Sequence, residues 1–150
     1  MARCVEATVS EDVPAPVDQV RAHYVDLDNI TDVHPLVVSV HTLSRRDTDD
    51  GYTHTYRVRD RIPMGFATLP ISYTATLRVP RTGPVLTEAR QFPAVRLDGV
   101  VSFEEIPTGT RLTERIRISA PWPLLGLTAR QAVAAHTEML AGIRRRFEGG

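Results

Sequence analysis

The chain has 150 residues, of which 42% are hydrophobic, 24% charged and 6% aromatic, which suits a single globular domain over residues 1–150. Its 18 basic and 18 acidic residues balance, which argues against a nucleic-acid partner because such proteins usually carry a basic excess. All 18 basic residues are arginines, so chemistry that needs a Schiff-base or P-loop lysine is excluded.

The single cysteine, Cys4, excludes an internal disulfide and zinc sites built on two or four cysteines. No apolar run at the N-terminus has the length of a signal peptide, and no stretch approaches the roughly 18 apolar residues of a membrane-spanning helix. We therefore expect a cytoplasmic protein without an integral membrane segment, either a monomer or a homodimer.

The first part of the chain is predicted to form one strand and two short helices. Residues 3–12 alternate apolar and polar side chains, which is typical of a strand. From Pro16 to Leu27 the apolar residues follow helical spacing. A second short helix begins near Asp28-Asn29 and ends before Pro35, because the residue preceding a proline avoids helical geometry.

The middle of the chain changes from the helical period to the twofold period of strands. Turn residues bound six predicted strands: Leu36–Arg46, Tyr52–Ile62, Ile71–Val79, Val85–Gln91, Val95–Ile106 and Thr110–Ser119. Because short turns join these segments, they are predicted to pair antiparallel.

The segment Leu124–Phe147 returns to helical spacing with a wide apolar stripe that includes His136. A curved antiparallel sheet packed against one long helix would bury the apolar faces of both elements. The sequence therefore predicts the α+β class.

Segments along nearly the whole chain carry a family resemblance: Pro14–Val20, Asp28-Asn29, His34–Val40, Gly109–Glu114 and the final helix with His136, Met139 and Leu140. In this order they resemble the helix-grip (START-like, SRPBCC) superfamily, which includes polyketide cyclase/dehydrase-like proteins. Many relatives have Trp where this chain has Val33. The resemblance implies a helix-grip fold with a seven-stranded sheet, two short helices after strand 1, and a cavity for hydrophobic small molecules between the sheet and the long helix.

Strand parity places several polar side chains on the apolar inner face of the predicted sheet. His54 and Tyr56 share a face with Asp60, and Glu114 lies between apolar residues of the last strand. With His136 on the helix, the groups predicted to converge on one interior are His54, Tyr56, Glu114 and His136. Buried ionisable groups are costly unless paired, so hydrogen bonds among them or to a ligand are expected.

The predicted ligand-binding residues are His54, Tyr56, Tyr73, Glu114, Ala132, His136, Met139 and Leu140. Each of them alone is also compatible with an ordinary place in the core, so the prediction depends on the set. The three candidate metal ligands, His54, Glu114 and His136, lack the short-spaced pair typical of a metal site, so neither a metal nor a cofactor is expected. No G-x-S-x-G motif is present, which argues against covalent catalysis.

The connection between Pro63 and Pro70 is unusually apolar for a loop. Its Met64, Phe66 and Leu69 are predicted to cover the cavity mouth as a lid, with a dimer contact or a lipid surface as alternatives. His34 is predicted to lie at the rim of the cavity.

Three functional hypotheses follow. The favoured one is non-covalent binding of a hydrophobic molecule such as a lipid, a polyketide or an isoprenoid-like compound. The alternative is a cofactor-independent enzyme of the polyketide cyclase, aromatase or dehydratase type, with His54 or His136 as base, Tyr56 stabilising an oxyanion and Glu114 orienting a histidine. The third is a partner-binding module that uses residues 64–69.

Overall fold

The computed structural model of the chain describes residues 2–63, 65–92 and 94–149. Within these residues the chain forms seven strands, two α-helices and one 3₁₀ helix. In chain order they are β1 (Ala2–Val13), α1 (Val17–Val25), the 3₁₀ helix (Leu27–Asp32), β2 (Val37–Thr48), β3 (Gly51–Pro63), β4 (Thr68–Pro80), β5 (Val85–Gln91), β6 (Val95–Ile106), β7 (Gly109–Pro121) and α2 (Leu125–Glu148). The predicted α+β class and order of elements are confirmed.

All seven described strands belong to one antiparallel sheet, with β1 and β2 at its edges. The strand order is β1-β7-β6-β5-β4-β3-β2, so the strands from β2 to β7 each pair with the next one along the chain, and β1 closes against β7. The sheet is curved and open, and α2 packs mainly against β1 and β7. This arrangement confirms the predicted helix-grip fold. Because α2 covers this side of the sheet, much of the concave face of β4, β5 and β6 is left for a cavity.

The hairpin of β3 and β4 is longer than the sequence predicts. Pro63 and Pro70 were expected to end strands because proline lacks a backbone N–H, yet Pro63 pairs with Thr68 and Pro70 pairs with Arg61. The neighbouring strands end earlier: β2 pairs with β3 only up to Asp60, and the described pairing of β4 with β5 spans residues 74–78. The prolines therefore lie where the hairpin has no second neighbour, a position at which a missing N–H is tolerated.

Helix α2 follows the predicted apolar stripe. Met139, Leu140 and Ile143 are buried against the sheet. Gly142 allows the helix to approach the segment after the 3₁₀ helix, because a Cβ atom at this position would lie only 3.0 Å from the Val33 side chain. No helix in the described ranges is both long and apolar enough to cross a membrane.

The turn from β6 to β7 packs tightly against the end of β1 and depends on Gly109. Its φ angle is +144°, and an added Cβ atom would overlap the backbone of Val13 and Ala15. We expect Gly109→Ala to lower the free energy of unfolding by roughly 3 kcal/mol or more, from backbone strain together with overlap. Urea denaturation measures this loss.

Gly83→Ala is the matched control, because Gly83 also has a positive φ of +93° but has open space around its Cβ position. It should cost only about 1–2 kcal/mol from the left-handed backbone. Equal losses in the two variants would show that packing against β1 does not matter at Gly109.

Candidate functional site

A cavity of about 600 Å³ lies between the concave face of the sheet and α2. Strands β3 to β7, the end of α1, the 3₁₀ helix with the residues that follow it, and α2 all contribute to its lining. Most of the lining is apolar and includes Leu27, Ile30, Val33, Ile62, Ile71, Ala75, Leu77, Leu97, Ile116, Ala132, Ala135, Met139 and Ile143. Its ionisable lining groups include Tyr24, His34, Asp60, Tyr73, Glu114 and His136.

The carboxylate of Glu114 is held inside the cavity by two hydrogen bonds. Strand alternation directs Glu114 to the same face as the buried Leu112 and Ile116, and the residue is only 2% exposed. His136 Nδ1 lies 2.9 Å from Glu114 Oε1, and the Tyr24 hydroxyl donates to Glu114 Oε2. Both carboxylate oxygens are therefore partnered, which is what an ionised group in an apolar environment requires.

The Glu114–His136 pair shifts the pKa of both members toward their charged forms. Burial raises the pKa of Glu114, but the His136 charge and the hydrogen bonds from His136 and Tyr24 outweigh it, so the pKa lies below its ordinary value. Burial lowers the pKa of His136, but the Glu114 charge and hydrogen bond raise it above its ordinary value. The His136 side chain remains 23% exposed, so the imidazole is reachable from the cavity.

A second imidazole, that of His34, packs edge-on against His136 with 5.7 Å between the ring centroids. Burial, followed by repulsion from His136, lowers the pKa of His34 to about 4. The backbone N–H of Leu36 donates to His34 Nδ1 over 3.2 Å. In the neutral ring the proton must then lie on Nε2, so His34 is a neutral hydrogen-bond donor beside a more basic histidine.

The cavity wall also holds a carboxylate with an open oxygen. Asp60 in β3 is 9% exposed, and its Oδ1 has no hydrogen-bond partner among the described residues. Burial raises the pKa of Asp60 to about 6, an effect that the neighbouring Tyr73 hydroxyl and His136 partly offset. Burial, together with the charge of Asp60, raises the pKa of the Tyr73 hydroxyl.

The four groups that were expected to converge form two separate pairs in the structure. Glu114 and His136 meet in the cavity, whereas His54 and Tyr56 stack on each other with ring centroids 3.9 Å apart. The Tyr56 hydroxyl lies 3.0 Å from His54 Nδ1 and donates to the Val25 carbonyl at the end of α1. Burial raises the pKa of Tyr56 to about 12. Neither His54 nor Tyr56 lines the cavity, so the structure brings Glu114 and His136 together there and places His54 and Tyr56 elsewhere.

The reason for this separation is that strand parity fixes the face of a residue and not what covers that face. His54 and Tyr56 do lie on the predicted side of β3. The end of α1 covers Tyr56 there, and Thr42 of β2 lies 2.9 Å from His54 Nε2. This part of the concave face is therefore occupied by the chain itself.

The remaining predicted ligand-binding and rim residues also fall into those that line the cavity and those that do not. Tyr73, Ala132, Met139, His34 and Leu69 line the cavity, and Leu140 is buried in the core. Phe66 is fully exposed to solvent and is not part of the cavity wall, while Met64 lies outside the described residues. Of the two predicted lid residues that the structure describes, Phe66 and Leu69, it is Leu69 that contacts the cavity.

Sequence reasoning missed Tyr24 and Asp60 as site residues. Tyr24 lies in the segment from Pro16 to Leu27 whose apolar residues follow helical spacing, and that local pattern carries no sign of its contact with Glu114, 90 positions away in the chain. Asp60 had a usable signal, since it is a carboxylate on the inner face of β3 that follows the buried Tyr56 and Val58. The parity that identified Glu114 applies equally to Asp60.

The chemistry available in the cavity is that of acids, bases and hydrogen bonds. With Nδ1 held by Glu114, His136 has Nε2 left to act as a base or acceptor, while His34 Nε2–H is a donor. Asp60 supplies an acceptor on the β3 wall. The described part of the chain contains no group of three or more His, Cys, Asp or Glu side chains placed to hold a metal ion.

Comparison with protein families identifies one family over nearly the whole chain. The family described as polyketide cyclase/dehydrase and lipid transport matches residues 5–148. No curated protein matches the sequence. The resemblance seen in the sequence is confirmed at the level of this family.

Solved structures share the fold at low sequence identity. The aromatase/cyclase ZhuI from a Streptomyces species is 17% identical, with a TM-score of 0.69 and coverage of 97% of this chain and 96% of that chain. A START superfamily protein from Mycobacterium smegmatis is 17% identical, with a TM-score of 0.68 and 97% of both chains covered. The di-domain ARO/CYC BexL is 15% identical with a TM-score of 0.76, and the match covers 97% of this chain and 50% of that one.

The raised pKa of Asp60 makes stability depend on pH with a defined sign. The folded carboxyl keeps its proton up to about pH 6, whereas the ordinary value is 3.8. The folded state therefore binds more protons between these values, so the ionisation of Asp60 costs stability increasingly above pH 4 and fully above pH 6. At about 1.4 kcal/mol for each pH unit, the full cost is roughly 3 kcal/mol.

We therefore expect Asp60→Asn to raise the free energy of unfolding at pH 8 by roughly 2–3 kcal/mol, and to lose this advantage as the pH approaches 4. Urea denaturation at several pH values measures the difference between the two proteins. The exposed Asp47→Asn in β2 is the control and should have little effect at any pH. If Asp60→Asn changes the free energy of unfolding by the same amount at every pH, Asp60 is not a buried carboxyl with a raised pKa.

Proposed function

The chain belongs to the polyketide cyclase/dehydrase and lipid transport family, and from this membership we propose that it binds a hydrophobic small molecule in the cavity between the sheet and α2. The cavity is the observation that carries the proposal. Its volume of about 600 Å³ lies within the range of roughly 300–1,000 Å³ found for small-molecule sites. Polyketides, lipids and isoprenoid-like compounds are the candidate classes.

The distribution of polar groups supports an oriented ligand. The cavity walls formed by β4, β6 and α2 are largely apolar, with Leu77, Leu97 and Met139 among their residues. Glu114, His136 and His34 form a polar cluster on one side of this apolar space. A hydrophobic molecule with one polar end would bury its apolar part against the walls and direct its polar end to this cluster.

Filling part of the cavity should weaken binding. Ala132 lines the cavity on α2, and Ala132→Phe would place a ring in the space that the ligand needs. We expect the affinity for a hydrophobic dye such as Nile red to fall by roughly tenfold or more, which corresponds to about 1.4 kcal/mol. Fluorescence titration measures the affinity, and native mass spectrometry with solvent extraction identifies any molecule that copurifies with the wild-type protein.

Ala134→Phe is the matched control, because Ala134 lies two residues further along the same helix but is exposed to solvent. It should bind the dye as the wild type does. If both variants bind equally well, the dye does not occupy this cavity. If the wild type binds neither the dye nor any copurified molecule, the proposed binding function is wrong.

The Glu114–His136 pair favours a second candidate, a cofactor-independent cyclase or dehydratase. His136 Nε2 would remove a proton from the carbon between two carbonyl groups of a bound polyketone, and the resulting enolate carbon would bond to another carbonyl carbon of the same molecule. The new alkoxide would take the proton back from His136, and loss of this hydroxyl with a neighbouring proton would release water. Glu114 orients the imidazole and stabilises its charged form.

Catalysis of this kind has a pH signature. The rate should fall as the pH drops through the pKa of His136, which Glu114 holds above the ordinary value of 6.5. Glu114→Gln should move this limb of the profile to lower pH, since the carboxylate no longer raises the pKa. His136→Asn should lower the rate by roughly a hundredfold or more.

Conversion of acyclic triketones or longer polyketones to cyclised, dehydrated products, followed by mass spectrometry, measures these rates. His41→Asn is the control, because His41 is exposed on β2. A rate that is independent of pH between 5 and 8, or one that His136→Asn leaves unchanged, would argue against His136 as the base.

A further inference from the structure

Two buried side-chain atoms of cavity-lining residues have no hydrogen-bond partner among the described residues, His23 Nδ1 and the carboxylate oxygen Asp60 Oδ1. Glu114 has a partner on each carboxylate oxygen, whereas Asp60 Oδ1 is buried and has no hydrogen-bond partner among the described residues. Buried polar atoms are almost always partnered, because an unmade hydrogen bond is costly. Since Asp60 lines the cavity and is 9% exposed, the missing donor can come from a molecule inside it.

We propose that Asp60 accepts a hydrogen bond from a hydroxyl group of the bound hydrophobic molecule, an inference that rests on the binding function proposed above. The site would thus select phenols or alcohols over molecules of the same shape that lack the donor. Asp60 would thus determine specificity from the β3 wall, as a second polar contact apart from the cluster of Glu114, His136 and His34.

The surroundings of Asp60 match one hydroxyl group. Its lining neighbours Ile62 and Ile71 are apolar, and Tyr73 supplies the adjacent hydroxyl. One open oxygen satisfies the single donor of a hydroxyl group, whereas an ammonium group has three donors and would leave the others unpaired in an apolar wall.

The protonation state of Asp60 fits this role. Burial raises its pKa to about 6, so the group is ionised in neutral solution and can then only accept hydrogen bonds. Hydrogen bonds to an ionised carboxylate are stronger than those between neutral groups. The bound hydroxyl would offset part of the cost of burying this charge, so the ligand should be held more firmly than its methylated analogue.

A matched pair of probes tests the inference. Naphthol and its methyl ether share the same ring system, but only naphthol has a hydrogen-bond donor. We expect wild-type protein at neutral pH to bind naphthol roughly tenfold or more tightly than the ether. Isothermal titration calorimetry gives the ratio of the two affinities.

The ratio should depend on residue 60. Asp60→Leu removes the acceptor and should bring the ratio close to one, while Asp60→Asn keeps a neutral oxygen and should give an intermediate value. Two different replacements keep the test valid if one of them folds poorly. Asp47→Leu on the exposed surface of β2 is the control and should keep the wild-type ratio.

The outcomes separate the two proposals. Weaker binding of both probes to Ala132→Phe would show that they occupy the cavity. If they do, but the wild-type affinity ratio is near one or Asp60→Leu leaves the ratio unchanged, the role of Asp60 is overturned and the binding function stands. If neither probe binds, the binding function fails, and the inference fails with it. A third probe, naphthylmethylamine, carries an ammonium group; tighter binding of this cation than of naphthol, lost in Asp60→Leu, would overturn the hydroxyl assignment.

Discussion

The burial of the Glu114 carboxylate is the constraint on which the site depends. A charged group inside an apolar sheet face is tolerated only if donors reach it. The donors come from two separate helices, Tyr24 of α1 and His136 of α2. These contacts fix where α1 and α2 sit relative to β7, and thereby define one side of the cavity.

The cavity itself follows from where α2 has to pack. Its apolar stripe contacts β1 and β7 at one side of the curved sheet, and its residues Leu140 and Ile143 are fully buried. The first half of the helix presents the small side chains Ala132 and Ala135 to the concave face instead. Small residues at this level leave space between helix and sheet, which larger ones would fill.

The sequence predicts the fold better than it predicts the site, for a physical reason. Alternation and helical spacing are local, so they placed the strands, the long helix and the inward direction of Glu114 and His136 correctly. Which inward groups share a space depends on contacts between distant segments. The end of α1 covers Tyr56, and Tyr24 reaches Glu114 across the fold; no spacing rule contains that information. Asp60 differs, because the same alternation placed it inward and only its chemistry was overlooked.

Asp60 and His34 lie where burial disfavours their charged forms, in contrast to the paired Glu114 and His136. Burial raises the pKa of Asp60 to about 6 and lowers that of His34 to about 4, so each group is held in an environment that disfavours its charged form. Apolar side chains would fill the same positions without this cost. The placement of Asp60 and His34 is therefore better explained by the proposed binding of a small molecule in the cavity than by a contribution to the stability of the fold. The neutral His34 donor, the basic His136 and the open Asp60 acceptor together give the apolar space a polar pattern that a bound molecule can match.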